Sequence, residues 1–430
     1  MAATKYKDSG IPWIGMIPSD WEVEPIGRNI HEVDNPNVGG KETNALQFKA
    51  GTIISKSVGD SKYHPTTLEA YNVVDEGVIM LNGLNLSFDL ISQRVGLVQE
   101  KGVITSAYLA IKPNERIKSE FLTYLFKAYD ARKALHAMGK GLRQTLAWKE
   151  LKCYSVVYPP LATQQRIADY LDRKCAEIDE LAALQETMIA ELKRYKQSVI
   201  TEAVTKGLDP NVPMKDSGVE WIGEIPEGWE ETKVLNLLAM PITDGPHETP
   251  NLYDSGIPFI SADAVSDGYI NFDNKRGYIS QEYYEECCKK YIPQMYDIYM
   301  IKSGASTGRT AIVETDEIFT IWSPLAVFRA NAKIILPYFL LYVLRSYGFQ
   351  KQVETNWSYG TQQNIGMRTL EKLIVSFPPL AEQQAIADYL DEKCSEIDEL
   401  IAIKQQKIEA LKEYKKSVIF EYVTGKKEVL

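Results

Sequence analysis

The sequence predicts an α/β (α+β) protein: two mixed α/β domains joined by two long helices that pair as a coiled coil, with an internal pseudo-two-fold. Three observations lead there. A 23-residue segment is written twice, PPLATQQRIADYLDRKCAEIDEL at 159–181 and PPLAEQQAIADYLDEKCSEIDEL at 378–400, with four differences. A shorter segment is also doubled, KDSGIPWIGMIPSDWE at 7–22 and KDSGVEWIGEIPEGWE at 215–230. Between the copies lie roughly 23–157 and 231–376, which differ in sequence while sharing a scaffold of apolar runs. A repeat of this size sets the architecture before any local reading does. The expected boundaries are a domain at 1–157, a helix at 158–208, a domain at 209–376 and a helix at 377–430.

The helices come from periodicity. From about Leu161 to Thr205 there is no Pro or Gly. Leu171, Ile178, Leu192 and Val199 recur at multiples of seven, with Leu181, Met188 and Tyr195 beside them. The second copy supplies Leu390, Ile397, Leu411 and Val418, with Leu400 and Tyr414 beside them. A heptad seam between charged flanks is a coiled-coil pattern, and each helix alone would leave its seam in water. Pairing the two copies buries both, which gives the repeat a physical reason. About 44 residues at ~1.5 Å each make a helix of roughly 65 Å. Gly207 with Pro210 after it ends the first helix, and Gly425 the second. The seam turns polar at Gln185 and Lys404, read as a solvated break or, alternatively, as a register device.

The intervening segments read as mixed α/β. GVIMLNGLNL (77–86), GVITSAYLAI (102–111) and IFTIWSPLAVF (318–328) are strand-like runs between turn residues. Each segment then carries an apolar helix, SEFLTYLFKAYDARKALHAMG at 119–139 and LPYFLLYVLRSYG at 336–348. Phe121, Leu125 and Phe126 mark the buried side of the first, Leu340 and Leu344 that of the second. A matching loop follows each helix, GLRQTL at 141–146 and GTQQNI at 360–365.

Length and composition point to a soluble multidomain protein. The chain has 430 residues, of which 45% are apolar and 25% charged. No apolar run approaches the ~20 residues of a membrane span, and the N-terminus lacks a signal pattern, so a cytoplasmic protein without a membrane partner is expected. Five cysteines without CxxC spacing and four scattered histidines argue against a disulfide framework or a metal site. Cys175 and Cys394 occupy equivalent repeat positions and read as small buried residues.

Catalytic motifs find no foothold. SGASTGRT (303–310) has three residues between Gly304 and Gly308 where a phosphate-binding P-loop has four, and Arg309 replaces its Lys. YPPL (158–161) and FPPL (377–380) lack the Asp or Asn that an amino-methyltransferase loop uses to hold its target amine. The acidic pairs Asp179-Glu180 and Asp398-Glu399 fit a solvated coiled-coil flank.

Binding does better. The net charge is −10, which taken alone opposes a nucleic-acid partner, so distribution matters. Residues 127–152 hold seven Lys/Arg against two Asp/Glu, among them Arg132, Lys133, Lys140, Arg143 and Lys149, with Gln144 nearby. Forked Arg and Gln side chains read base edges, and Lys suits phosphates; a solvated basic helix end is the alternative. In the other segment, IKSGASTGR (301–309) offers Lys302, Ser303, Ser306, Thr307 and Arg309 in a Gly-rich loop. TDGPHETP (243–250) is a further polar loop. The second helix is acidic, with ten Asp/Glu against six Lys over 382–421.

The order variable domain, PPLxxQQxIAxYLD helix, KDSGxxWIGxIPxxW, variable domain, second helix resembles the specificity subunit of type I restriction–modification enzymes. The resemblance covers essentially the whole chain. It implies two target-recognition domains, each reading one half of a split site in double-stranded DNA, and two helices paired as an antiparallel coiled coil that space them. It implies modification (methyltransferase) subunits as partners, two of them, docked on those helices, and restriction/translocase subunits besides. S-adenosylmethionine and ATP would then belong to the partners, with no cofactor, metal or catalytic residue on this chain. By that pattern, Lys140, Arg143 and Gln144 contact DNA from the first domain, and Lys302, Ser303, Arg309, Gln362, Gln363 and Asn364 from the second. A structural role for GLRQ and GTQQ, holding each domain to the helices, is the alternative. A pseudo-dimeric protein-binding scaffold without DNA readout is the other class of function the acidic balance allows. Because the two domains differ, the half-sites should differ, and helix length should fix the spacer between them.

Overall fold

The computed structural model describes residues 5–56, 68–86, 93–141, 144–359 and 362–429. The chain divides into two compact units, 1–186 with 406–430, and 187–405. Each long helix, Leu161–Lys206 and Leu380–Val423, therefore contributes one half to each unit.

The first unit is built on a four-stranded antiparallel sheet. Its strands are β1 (Ile30–Glu32), β2 (Ile79–Leu81), β3 (Val95–Leu97) and β4 (Leu109–Pro113), in the order β1-β4-β2-β3. The helix Ser119–Ala131 covers it. Phe121, Leu122, Leu125 and Phe126 recur at i, i+1, i+4 and i+5 and are fully buried, in one core with Ile79, Leu81, Val95 and Ile111. The helix is shorter than the 119–139 run suggests. Lys133 adopts a left-handed conformation (φ 58°), and a separate turn of helix occupies Ala134–Met138. The run 77–86 likewise splits: its strand ends at Leu81, and 82–86 is a loop.

Both repeated segments work within this unit. The 7–22 copy forms the hairpin Tyr6–Asp8 with Met16–Pro18. The strand Glu22–Pro25 pairs with Ser155–Tyr158, which leads into Pro159-Pro160 and the first long helix. Leu171 and Cys175 of that helix share the core with Val418, Ile419 and Val423 of the second. Tyr170 stacks against Tyr422 at 4.4 Å between ring centroids, and Lys415 Nζ lies 2.6 Å from Asp179. Numbers rise on one helix as they fall on the other, so the pair is antiparallel. Gly425 takes φ 68° past the helix end, where a Cβ would lie 2.3 Å from Pro18 Cδ; the turn and the close approach both require glycine.

The second unit repeats the plan with other residues. Its sheet strands β5 (Thr243–Asp244), β6 (Ile298–Ile301), β7 (Thr310–Ile312) and β8 (Leu325–Phe328) run in the order β5-β8-β6-β7, the same antiparallel arrangement. Gly268–Tyr269 adds a fifth strand parallel to β7. A separate three-stranded sheet places Ile257–Ile260 between Gly277–Ile279 and Thr320–Ile321. Phe339, Leu340 and Leu344 of the helix Pro337–Arg345 are fully buried. Val199, Ile200, Ala203 and Val204 join Ile386, Leu390 and Cys394 in its core. Lys196 Nζ meets Asp398 at 2.8 Å. This pair is the repeat equivalent of Lys415–Asp179, each partner shifted by 219 positions.

Of the predicted seam residues, Leu171, Ile178, Val199, Leu390, Ile397 and Val418 are buried, while Leu192 and Leu411 are half-buried. The flanking Leu181, Tyr195, Leu400 and Tyr414 are between 45% and 58% exposed, so the seam is narrower than the heptad suggests. Gln185 is 3% exposed and its Oε1 accepts no hydrogen bond among the described residues. It is therefore not part of a solvated break.

Gln164 and Gln383, the first glutamines of the two QQ pairs, make the same contacts. Gln164 Oε1 accepts from Lys118 N–H at 2.8 Å, and Nε2 donates to the Arg116 and Pro159 carbonyls. Gln383 Oε1 accepts from Leu336 N–H at 2.8 Å, and Nε2 donates to the Ile334 and Pro378 carbonyls. Each ties the start of a long helix to the loop before the apolar helix of its own domain.

Candidate nucleic-acid interface

The loop between β2 and β3 in the first unit and the loop between β6 and β7 in the second occupy the same place in the shared sheet. In each unit a short hairpin leans on that loop. In the first, Lys140 and Thr145 exchange backbone hydrogen bonds at 3.1 and 3.0 Å. Leu146 N–H donates to Gly83 O at 2.9 Å, and Leu86 N–H to Gln144 O at 3.1 Å. In the second, Ser358–Tyr359 pairs with Gln363–Asn364. Ile365 N–H donates to Lys302 O and Gly304 N–H to Gln363 O, both at 2.9 Å. The Leu146–Gly83 and Ile365–Lys302 bonds are counterparts. Gln144 and Gln363 are thus tied to a neighbouring loop by these bonds. Polar loops fixed on a rigid sheet are where binding residues are usually presented.

The structure brings together Lys140 and Gln144, both exposed, the latter at φ 43°. Arg143 lies outside the described residues. In the second unit it brings Lys302 and Ser303 against Gln363 and Asn364, with Gln362 and Asn364 exposed and Ser303 and Gln363 half-buried. Arg309 is exposed where the same loop returns.

Lys302 differs from its sequence reading as a DNA contact. Its side chain is 11% exposed, and Nζ sits 2.9 Å from Asp244 Oδ2. Asp244 is buried, also binds Lys290, and has His247 Nε2 at 3.2 Å. Burial pushes the Asp244 carboxyl up, but the two ammonium groups outweigh it and hold it below the usual carboxylate range. Lys302 is a structural cation, and its charge is matched inside the domain. The basic strip 127–152 also disperses. Arg132 lies 4.3 Å over the Phe420 ring, Lys149 is 3.6 Å from Glu150, and Lys127 is largely buried, its ammonium held below the lysine range by burial and then by Lys415.

Sequence reasoning missed three features. Asn82 and Asn85 lie on the first-unit loop, which Arg94 gathers by donating to the Asn82 and Leu84 carbonyls at 2.8 and 2.7 Å; two Asn and a Gly within NGLN were the available turn signal. Lys290 comes from 46 positions away to Asp244, which shares its loop with His247, and Arg276 meets Trp322 from a separate segment; no spacing in the sequence announces either approach. Among the described residues, no three His, Cys, Asp or Glu side chains are grouped to hold a metal ion, and no helix is long and apolar enough to cross a membrane.

A family model described as type I restriction modification DNA specificity domain matches residues 95–194 and 226–413, well over half of the chain. The chain belongs to that specificity family. Similar proteins include the type I restriction enzyme MjaVIII specificity subunit of Methanocaldococcus jannaschii, 23% identical over 419 residues, covering 95% of this chain and 93% of that protein. The EcoBI specificity subunit of Escherichia coli is 29% identical over 234 residues, 53% of this chain and 49% of that protein. A chain solved for the "Structural basis underlying complex assembly and conformational transition of the type I R-M system" superposes with a TM-score of 0.69 at 17% identity, covering 95% of this chain and 98% of that one. At that identity the likeness speaks to the fold. The specificity-domain model matches twice, once in each half of the chain and each time running into a long helix.

Proposed function

We propose that this chain reads a split, asymmetric site in double-stranded DNA, one half through each domain, and does no chemistry itself. The observation that carries the reading is the loop-and-hairpin junction, built twice on one sheet plan but lined by different residues: Asn82, Asn85, Lys140 and Gln144 in one unit, Ser303, Arg309, Gln362, Gln363 and Asn364 in the other. One frame with two linings is what two unlike half-sites call for. The paired helices separate the domains and dock two modification subunits, which carry S-adenosylmethionine and methylate adenine; restriction/translocase subunits bring ATP chemistry. Docking is supported by exposed apolar residues that recur under the repeat: Leu181, Leu184 and Tyr414 on the helix pair of the first unit, and Leu400, Ile403 and Tyr195 on that of the second. Surface apolar residues repeated in kind and position suit two copies of one partner. The net charge of −10 fits a subunit that binds DNA well only within the complex.

The test is a modified-base map of DNA from cells expressing the chain with its modification subunit, against cells lacking the chain. A split motif with methylated adenine in each half, present only with the chain, is expected. Chain-independent methylation, with the partner active and bound, would refute the reading and put the protein-binding scaffold in its place.

A further inference from the structure

The second unit holds an arginine that neither junction uses. Arg276 precedes the edge strand Gly277–Ile279, and its backbone N–H donates to Phe259 O at 2.9 Å. Its guanidinium carbon lies 3.8 Å from the centre of the Trp322 ring, a stacking distance. The indole is fixed in turn: Nε1 donates to Glu248 O at 2.9 Å, and the Trp322 backbone N–H donates to Ile260 O at 2.8 Å. Arg276 is exposed, and its side chain makes no ion pair or hydrogen bond among the described residues.

The platform adjoins the candidate interface through backbone bonds. Trp322 opens the turn at 322–324. Ser323 N–H donates to Pro246 O at 3.1 Å, reaching the 243–250 loop, and Lys302 N–H donates to Pro324 O at 2.9 Å, reaching the base of the 302–309 loop. Stacking at an exposed site contributes little to stability, so stability is a weak reason for the pair. What stacking does is hold a planar fork in place. The five N–H donors lie in the guanidinium plane, so a flat ring beneath leaves them available at the rim. The pair of acceptors that fits such a fork in the major groove is O6 and N7 of guanine.

We infer that Arg276, held over the Trp322 ring, reads a guanine in the half-site of the second domain. The inference rests on the DNA-reading function proposed above. Its test compares methylated motifs in cells expressing the full chain, R276K or R276A with the modification subunit. Both variants should lose the preference for guanine at one position of one half-site by about tenfold or more, with the other half-site unchanged. Lysine keeps the charge but not the fork, so R276K separates base reading from phosphate contact. A motif kept intact by R276K and weakened evenly across sequences by R276A would make Arg276 a phosphate contact and overturn the inference. So would an unchanged motif in both variants. Absence of chain-dependent methylation with the wild-type chain would instead remove the proposed function, and this inference with it.

Discussion

Gln383→Ala tests what the repeated QQ motif does. Gln383 is fully buried, and three bonds end on its amide: Leu336 N–H to Oε1 at 2.8 Å, and Nε2 to Ile334 O at 2.9 Å and Pro378 O at 2.8 Å. Alanine leaves one backbone donor and two carbonyls short of a partner. A buried donor left alone costs about 1–3 kcal/mol; each carbonyl costs less, since it can find a second donor or water. The expected local loss is about 2–4 kcal/mol. The adjacent Gln384 is exposed and, among the described residues, bonds only Asp388, four residues on, at 2.7 Å. Gln384→Ala should cost about 0.2–0.5 kcal/mol. Unfolding of a two-unit chain is not a single transition, so the assay is amide hydrogen exchange in the intact chain, read at 334–336 and 378–386. Q383A should speed exchange there by more than about tenfold, and Q384A should not. Equal effects from the two variants, or unchanged protection at Leu336 in Q383A, would refute the reasoning. Gln164 should behave as Gln383 does, in the first unit.

Other substitutions probe the interface and the buried charges. Asp244→Asn leaves Lys302 without its carboxylate and should destabilise the second unit by about 3–5 kcal/mol, measured as earlier calorimetric unfolding of that unit. Asp267 is largely exposed at the surface; partial desolvation raises its carboxyl but Arg345 and Lys196 more than offset it, so its folded pKa, like that of buried Asp244, is depressed. Such groups contribute stability above their unfolded pKa of about 3.9, and lose it as pH falls through the folded value. The second unit should therefore weaken in acid below about pH 4, and D267N should show a flatter acid limb; an unchanged slope would exclude Asp267 from the linkage. Gly83→Ala would place a Cβ 2.3 Å from Leu146 O and push the hairpin off its loop. It should abolish recognition of one half-site and spare the other, read from the methylated motif. Burial pushes the Cys175 and Cys394 thiols up, so iodoacetamide should label exposed Cys153 well before either; equal labelling would contradict their burial.

The plan of the molecule was legible because it is written as repeats and periods. The doubled PPLxxQQ helix, its heptads and its glycine ends follow from local rules of helix and cap. The two-domain scaffold followed from apolar runs in the same order. Local rules failed where a side chain's neighbours come from elsewhere in the chain. Lys133 interrupts a helix that periodicity continued. Lys302, read as a DNA contact from its Gly-rich loop, is buried beside Asp244, 58 positions earlier. Arg132 looked like part of a basic surface and stacks on Phe420, nearly three hundred positions away.

The sequence by itself determined the pseudo-two-fold, the pairing of the helices and the family, because repetition and period survive without coordinates. Tertiary structure decided which polar residues remain available. It took Lys302 into an ion pair, set Gln363 and Asn364 beside Ser303, and laid Arg276 on Trp322. Charge, stacking and backbone hydrogen bonding between distant segments depend on separation in space, which spacing along the chain does not encode.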